Sequence, residues 1–241
     1  MRSVRAFAFW AITVVAALAV AATAALGFWQ LGRGRDKDAL QAAIEAREAL
    51  PAVPPEAMSG TELPPLMHRS VVLRGTWDER HTVFLDNRQM HGRVGFYVVT
   101  PLKLEGGGAV LVQRGWAPRD FMQREKLPAV QTPPGVVEVR GRIAPPPARL
   151  YQFGGAGAAA IRQNLDLDSF RAETGLPLPE LAVVQNGAAS EGLLRDWPRA
   201  GSGSEKNYGY AFQWWALSAL IAILYVWFQF IAPRRRKVPP A

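Results

Sequence analysis

The chain has 241 residues, of which 49% are hydrophobic and 20% charged, and its formal net charge is +8. It contains no cysteine, which excludes disulfides, thiolate metal sites and cysteine nucleophiles. Six of the 28 basic residues lie close to the termini, and the middle of the chain has 22 basic and 20 acidic residues. The middle of the chain is therefore nearly neutral, which argues against a nucleic-acid partner.

Two long apolar segments, residues 6–32 and 207–233, contain no charged side chain. A helix rises about 1.5 Å per residue and the hydrocarbon core of a bilayer is about 30 Å thick, so each segment is long enough to span a membrane. The first could instead be a cleaved signal peptide, but its apolar core is longer than that of a signal sequence, and Phe28 and Trp29 continue it. The sequence therefore predicts transmembrane helices at both ends of the chain.

The positive charges predict the orientation of these helices. Arg2 and Arg5 precede the first span, and a basic tail, residues 234–241, follows the second. By the positive-inside rule both termini are cytoplasmic. Residues 33–206 then form a periplasmic domain of a multi-pass protein in a bacterial inner membrane.

Within this domain the pattern favours an α+β fold in which strands dominate. Residues 35–50 have helical spacing, and the Pro-rich residues 51–65 read as an extended tether. Later segments are short helices or are rich in β-branched and aromatic residues. The predicted strands are 70–75, 82–86, 95–104, 109–115, 136–143 and 181–185. The predicted short helices are 120–126 and 166–172. A flexible loop is predicted at 154–160 and a flexible joint at 201–204.

The domain has no recognisable catalytic or metal-binding motif. Gly106, Gly107 and Gly108 lie between two predicted strands, which favours a hairpin turn over a phosphate-binding loop. The three histidines are not spaced as metal ligands, and no G-x-S-x-G elbow occurs. Asp86 is a possible acid or base, although a turn with solvated charges explains it as well. We therefore predict no catalytic residues, no metal site and no enzymatic activity.

Aromatic residues concentrate at the predicted outer ends of both spans. Gln30 and Gln213 lie about one bilayer thickness from the cytoplasmic charges. The aromatic residues around them are Phe28, Trp29, Tyr208, Tyr210, Phe212, Trp214 and Trp215. They form either an interfacial aromatic belt or, because Tyr210 and Gln213 share a helix face, a surface for a partner helix, a ligand or another protein.

Five motifs occur in the order seen in one known family. They are Leu26–Gln30 followed by Arg33, Leu85–Arg88 with Gly92 and Gly95, Thr100–Leu102, Val110–Trp116 and Tyr210–Trp214. With the two spans, these motifs resemble the surfeit locus protein 1 family of cytochrome c oxidase assembly factors. The resemblance covers nearly the whole chain.

The resemblance implies a non-enzymatic assembly factor for an aa3-type oxidase, which assists heme a insertion into the catalytic subunit or stabilises that subunit. It implies the catalytic subunit, membrane lipid and heme a synthesis enzymes as partners. The cofactor-binding residues expected from it are Tyr208, Tyr210, Gln213, Trp214, Trp29, Gln30 and Arg33, and the expected partner contacts are Arg88, Arg114 and Trp116.

The chain departs from the family at one position that concerns heme. Members typically have a histidine three residues before the tyrosine that matches Tyr210, and Asn207 stands there in this chain. Asparagine is a poor iron ligand compared with imidazole, and Tyr208 is an adjacent candidate because a phenolate can ligate heme iron. The alternative function is a membrane-anchored extracytoplasmic ligand-binding or sensor module.

Overall fold

A computed structural model of the protein describes residues 2–60, 63–123, 126–151, 159–198 and 203–235. The chain forms two compact units: Met1–Ala42 together with Arg199–Ala241, and Ala43–Pro198. The first contains most of the two apolar helices, and the second is a strand domain. The prediction of two terminal apolar helices flanking a strand-rich α+β domain is confirmed.

The first apolar segment belongs to one continuous helix, α1 (Arg2–Glu48). The sequence predicts a span ending at residue 32 and a separate helix from residue 35, but the intervening glycines are only weak helix breakers and no proline precedes Pro51. The compact units divide within α1, between Ala42 and Ala43.

The second apolar helix, α3 (Ser204–Val226), continues through a π-helical turn at Trp227–Ile231 into α4 (Ala232–Arg235). Pro233 lies inside α4, so helical structure continues past the end of the predicted span at residue 233. Proline lacks the amide that would bond four residues back, and a wider π turn next to it accommodates the lost hydrogen bond.

Helices α1 and α3 pack as an antiparallel hairpin with a seven-residue repeat. Thr13 Oγ1 bonds the Tyr225 hydroxyl at 2.8 Å, Ser218 Oγ donates to the Val20 carbonyl at 3.1 Å, and Gly27 lies against the Trp215 ring. Such a repeat brings one face of each helix together along its whole length.

Both apolar helices are exposed along their most hydrophobic stretches, of which only 11% and 6% are buried. Core helices of a globular protein bury such surface, so these are helices long and apolar enough to cross a membrane. They indicate membrane anchoring.

The described residues of the strand domain form seven strands: β1 (Ser70–Trp77), β2 (Val83–Met90), β3 (Arg93–Leu104), β4 (Ala109–Pro118), β5 (Val136–Ala144), β6 (Ile161–Arg162) and β7 (Ala182–Gln185). Their order is β1-β5-β7-β4-β3-β2-β6, and β1 also pairs with β3. This extra pairing closes β1, β5, β7, β4 and β3 into a barrel.

Closure of the barrel depends on Gly75, which pairs with Leu104 where β1 meets β3. A Cβ at this position would collide with the Lys103 carbonyl oxygen. Outside and inside residues alternate along β1, as expected of a strand with one buried face. One helix, α2 (Leu167–Thr174), covers the barrel with Phe170, whose side chain is fully buried.

Three local predictions need correction. The Pro-rich segment is not a tether, because Val53 pairs with Val71 and Met58 is buried in the barrel core. No residue described between 120 and 126 is helical, since Asp120 caps a turn there. Strand β6 is absent from the predicted strands because it has only two residues. The predicted loop at 154–160 and joint at 201–204 lie largely outside the described residues.

Candidate functional site

Asn207 joins the two helices of the hairpin. Its Nδ2 donates to Gln30 Oε1 at 2.7 Å, and its Oδ1 accepts from Lys37 Nζ at 2.8 Å. The carboxamide is therefore occupied on both sides by residues of α1. Lys37 was not expected at this site, although its spacing of seven residues from Gln30 continues the repeat of the helix seam.

Tyr208 also joins the two helices of the hairpin. Its hydroxyl donates to Asp38 Oδ2 at 2.5 Å, and its ring covers Gly34 so closely that a Cβ there would approach it within 2.7 Å. The hydroxyl of this half-buried side chain therefore already has an acceptor on α1. The structure therefore gives the two residues expected near an iron ligand, Asn207 and Tyr208, a role in joining the helices.

Of the other expected cofactor residues, Gln30 lies in the seam with Asn207, and the rest are exposed or partly exposed. Trp29 is 58% exposed and Tyr210 is 53% exposed, Gln213 is exposed, and Trp214 is partly buried. The guanidinium of Arg33 lies 6.0 Å from the centre of the Trp29 ring, within reach of a cation–π contact.

Helical periodicity places four of these side chains on one side of the hairpin. At 100° per residue, Tyr210 and Trp214 lie on the same side of the seam of α3, and Trp29 and Arg33 lie on the matching side of α1. The contacts of Gln30 with Asn207 and of Gly27 with Trp215 bring both pairs to the same level. We call Trp29, Arg33, Tyr210 and Trp214 the aromatic face of the hairpin.

The three residues expected to contact a partner are buried in the strand domain. Arg114 has no exposed surface, Trp116 is 1% exposed and Arg88 is 6% exposed. A partner surface requires side chains that another protein reaches, so this burial favours a role in maintaining the fold. Direct partner contact stays a prediction without an exposed side chain to support it.

Arg114 is the centre of a buried polar cluster. It donates to Thr132 Oγ1 at 2.9 Å and to the Gln131 carbonyl at 2.7 Å, and it pairs with Glu191 at 2.8 Å. Its guanidinium also lies 4.7 Å from the centre of the Trp77 ring. These contacts satisfy a charge that would otherwise be costly to bury.

Arg88 is buried without a carboxylate partner among the described residues. It donates to the carbonyls of Ala148 and Gln163 at 2.9 and 3.0 Å, and it lies 5.8 Å from the centre of the Tyr97 ring. Burial lowers the pKa of Arg88 and raises the pKa of Tyr97. Ala148 lies at the start of the long β5–β6 connection, and Gln163 directly follows β6. Arg88 therefore holds both ends of this connection against β2.

Two motifs that are separate in the sequence meet at Trp116, whose indole Nε1 donates to the Arg88 carbonyl at 2.9 Å. Between Leu85 and Arg88 the pairing of β2 with β3 shifts, and Asn87 adopts φ = 60°. Gly95 lies inside β3 against the Trp116 ring, so it serves close packing rather than a turn, whereas Gly92 has φ = 72° in the β2–β3 turn.

Asp86 is paired rather than solvated. Both of its carboxylate oxygens accept from Arg119 at 3.1 Å. Among the residues that the structure describes, no group of three His, Asp or Glu side chains is arranged to hold a metal ion. The site residues of this chain therefore divide into a buried structural set and the aromatic face.

The model of the SURF1 family matches residues 17–219, which include most of both apolar helices and the whole strand domain. The chain belongs to the SURF1 family. This match confirms the resemblance that the five motifs indicate. It also means that the hairpin contacts around Gln30 and Asn207 fall within the part of the chain that defines the family.

Curated relatives of this SURF1 family member share modest identity with it. The SURF1-like protein of Rickettsia conorii is 26% identical over 210 residues, 83% of this chain and 84% of its own length. A SURF1-like protein of Rickettsia felis is 31% identical over 104 residues, 42% of each chain. The cytochrome oxidase assembly protein SHY1 of Saccharomyces cerevisiae is 30% identical over 93 residues, 38% of this chain and 24% of its own length.

Proposed function

We propose that this protein is an assembly factor for a cytochrome oxidase of the aa3 type, which assists heme a insertion into the nascent catalytic subunit or stabilises that subunit. Membership of the SURF1 family supports the assembly role, as does the similarity to a yeast protein named for cytochrome oxidase assembly. The role is binding and transfer rather than catalysis. The catalytic subunit, surrounding lipid and heme a synthesis enzymes are its partners.

The proposed topology places both termini in the cytoplasm and the strand domain in the periplasm of a bacterial inner membrane. The basic residues beside the two apolar helices support this orientation. The aromatic face then lies at the periplasmic surface of the inner membrane, where heme a and a membrane-embedded subunit are both within reach.

The aromatic face is the observation on which the heme proposal rests. A macrocycle with an apolar ring and carboxylate side chains suits exposed aromatic rings beside a cation. Trp29, Tyr210 and Trp214 supply the rings, and Arg33 supplies a guanidinium that has no carboxylate partner among the described residues. Charge-assisted hydrogen bonds from Arg33 would hold a propionate.

Tyr210 is the better candidate for an oxygen ligand than Tyr208. Its side chain is 53% exposed, whereas Tyr208 is half-buried and its hydroxyl donates to Asp38. Gln213, one helical turn after Tyr210, and Gln30 lie at the same level and complete the expected set. Bound heme a would supply the redox-active iron, and the residues of this chain would hold and shield it.

The test is the visible spectrum of the detergent-purified protein after co-expression with heme a synthesis enzymes. The proposal expects stoichiometric heme a whose spectrum changes in Tyr210→Phe and whose retention falls in Arg33→Gln. Tyr208→Phe serves as the matched control, because the Tyr208 hydroxyl already donates to Asp38. No bound heme in the wild-type protein, or a spectrum that changes only in Tyr208→Phe, would contradict the proposed site.

The sensor alternative keeps one structural feature in its favour. A groove of about 550 Å³ beside the β3–β4 turn is lined by Met58, Leu63, Val110 and Leu178. It is lined mainly by apolar residues and open to solvent, and Glu180 is the charged residue among the described residues that line it. A small ligand that bound there and shifted the melting temperature of the purified protein would support this second function.

A further inference from the structure

Lys37 is a half-buried cation that lies at the seam of the hairpin without a carboxylate. Its Nζ donates to Asn207 Oδ1 at 2.8 Å and lies 3.5 Å from the carbonyl oxygen of Gly203. In the part of the chain that the structure describes, no Asp or Glu side chain forms an ion pair with it. An ammonium has three N–H donors, so these two contacts leave one donor and the whole charge for an anion.

Asn207 holds this ammonium in place from the opposite helix. Lys37 can only donate, so it takes the carboxamide oxygen and leaves the nitrogen to donate to Gln30 Oε1 at 2.7 Å. A side chain that is already ordered in this way loses little further entropy when it meets a ligand. Asparagine is also uncharged, so it orients the ammonium without neutralising it.

Lys37 lies beside the aromatic face. At 100° per residue, Lys37 is about 40° around α1 from Arg33 and about 6 Å further along the helix axis. Both cations lie on the side of the seam that carries Trp29. Asp38, the next residue, lies on the other side of the seam, where it accepts from Tyr208.

The face changes from aromatic to cationic in one direction along the hairpin. Trp29 belongs to the uncharged segment that ends at Gly32, whereas Arg33 and Lys37 follow it. A ligand that matches this order has a flat apolar body and two acidic groups at one edge. Heme a has such an edge with two propionates, of which Arg33 can hold one. The second propionate requires a second cation.

We propose that Lys37 is the second propionate-binding residue of this face and that Asn207 is the residue that positions it. The inference rests on the proposed heme-binding function and deepens it, because it names the pair of cations that orients the macrocycle. Arg33 and Lys37 together direct the acidic edge away from the apolar segment, and the rings of the aromatic face hold the rest of the macrocycle.

Hemin and hemin dimethyl ester are the probes for this role, because they share the macrocycle and the iron and differ in the two carboxylates. Each probe is titrated into the detergent-purified full-length protein and followed by its Soret absorbance. Lys37→Met removes the charge and nearly keeps the length of the side chain, and Lys37→Arg keeps the charge. Arg35→Met is the matched control, because Arg35 is an exposed cation of α1 on the Tyr208 side of the seam.

The proposal expects the wild-type protein to bind hemin several-fold more tightly than the ester. Lys37→Met should lose much of this preference while its affinity for the ester stays unchanged. Lys37→Arg and Arg35→Met should keep the preference. Asn207→Asp should reduce it, because a carboxylate at this position would pair with Lys37 and neutralise its charge.

Four results would overturn the inference. An unchanged preference for hemin in Lys37→Met or in Asn207→Asp would remove the role of that residue and leave the proposed heme function standing. Equal losses for hemin and for the ester in Lys37→Met would mean that Lys37 only joins the helices. Retention of phosphatidylglycerol that depends on Lys37, while hemin binding does not, would assign the ammonium to a lipid phosphate. Binding of neither probe by the wild-type protein would contradict the proposed function itself.

Discussion

Replacement of Arg114 by alanine is predicted to destabilise the strand domain strongly. The side chain is fully buried and makes hydrogen bonds to Gln131 and Thr132 and an ion pair with Glu191. Without it, Glu191 keeps a longer ion pair with Arg195, at 3.4 Å. Removing one partner of a buried ion pair typically costs about 3–5 kcal/mol.

This cost is measured as the shift of the urea midpoint of the full-length protein in detergent, followed by near-UV circular dichroism. For an m-value of about 1–3 kcal/mol/M, the midpoint falls by at least about 1 M. Arg140→Ala is the control, because Arg140 is 76% exposed along its side chain and pairs with Glu138 on the surface. Its removal costs at most about 1 kcal/mol.

Two results would refute the structural role of Arg114. The first is a midpoint shift as small as that of Arg140→Ala. The second is a variant that accumulates normally in membranes while oxidase assembly is lost, because that outcome would make Arg114 a partner contact.

Two further predictions concern the hairpin and α2. Gly27→Ala is expected to loosen the hairpin because its Cβ would collide with the Trp215 indole. Gly32→Ala is the control, because its Cβ meets no atom within 4 Å and alanine has the higher helix propensity. The purified Gly27→Ala protein should be less resistant to protease than the Gly32→Ala protein, and equal resistance would contradict the packing of Gly27 against Trp215. The Ser169 amide and hydroxyl lower the pKa of Asp166, the N-cap of α2. The stability that the ionised Asp166 gives the folded domain is therefore fully present above the pKa of the unfolded state, about pH 4. This stability is lost as the pH falls through the lower pKa of the folded state. Asp166→Asn keeps an N-cap side chain but should remove the fall in stability that protonation of Asp166 causes. The measurement is the urea midpoint as a function of pH, and a variant profile identical to that of the wild type would contradict this role of Asp166.

Local pattern is enough to find most elements of this chain. The apolar segments form helices and six of the seven strands are predicted, because β-branched runs separated by turn residues identify strands without knowledge of their partners. Barrel closure is not predictable, since it depends on a pairing between β1 and β3 at Gly75 that only the folded arrangement shows. For the same reason the Pro-rich segment is predicted to be a tether, whereas in the structure it contributes Met58 to the core.

The candidate site is predictable in part. The aromatic residues and glutamines at the outer ends of the spans are recognised from their level along the helices. Which of them face each other depends on how the two helices pack, and there Asn207 and Tyr208 bond to Lys37 and Asp38. The motif residues Arg88, Arg114 and Trp116 are recognised as a set, but a sequence motif does not distinguish a buried charge network from an exposed contact.

The central claim is that this SURF1 family member assembles a heme a-containing oxidase, and deletion of its gene in the native organism tests it most directly. The account predicts that membranes of the deletion strain lose most of the assembled oxidase, seen as lost heme a absorbance and lost cytochrome c oxidation. A plasmid copy should restore both, and a copy with Trp29→Ala and Tyr210→Ala should accumulate without restoring them. Membranes with normal oxidase content after deletion would contradict the account.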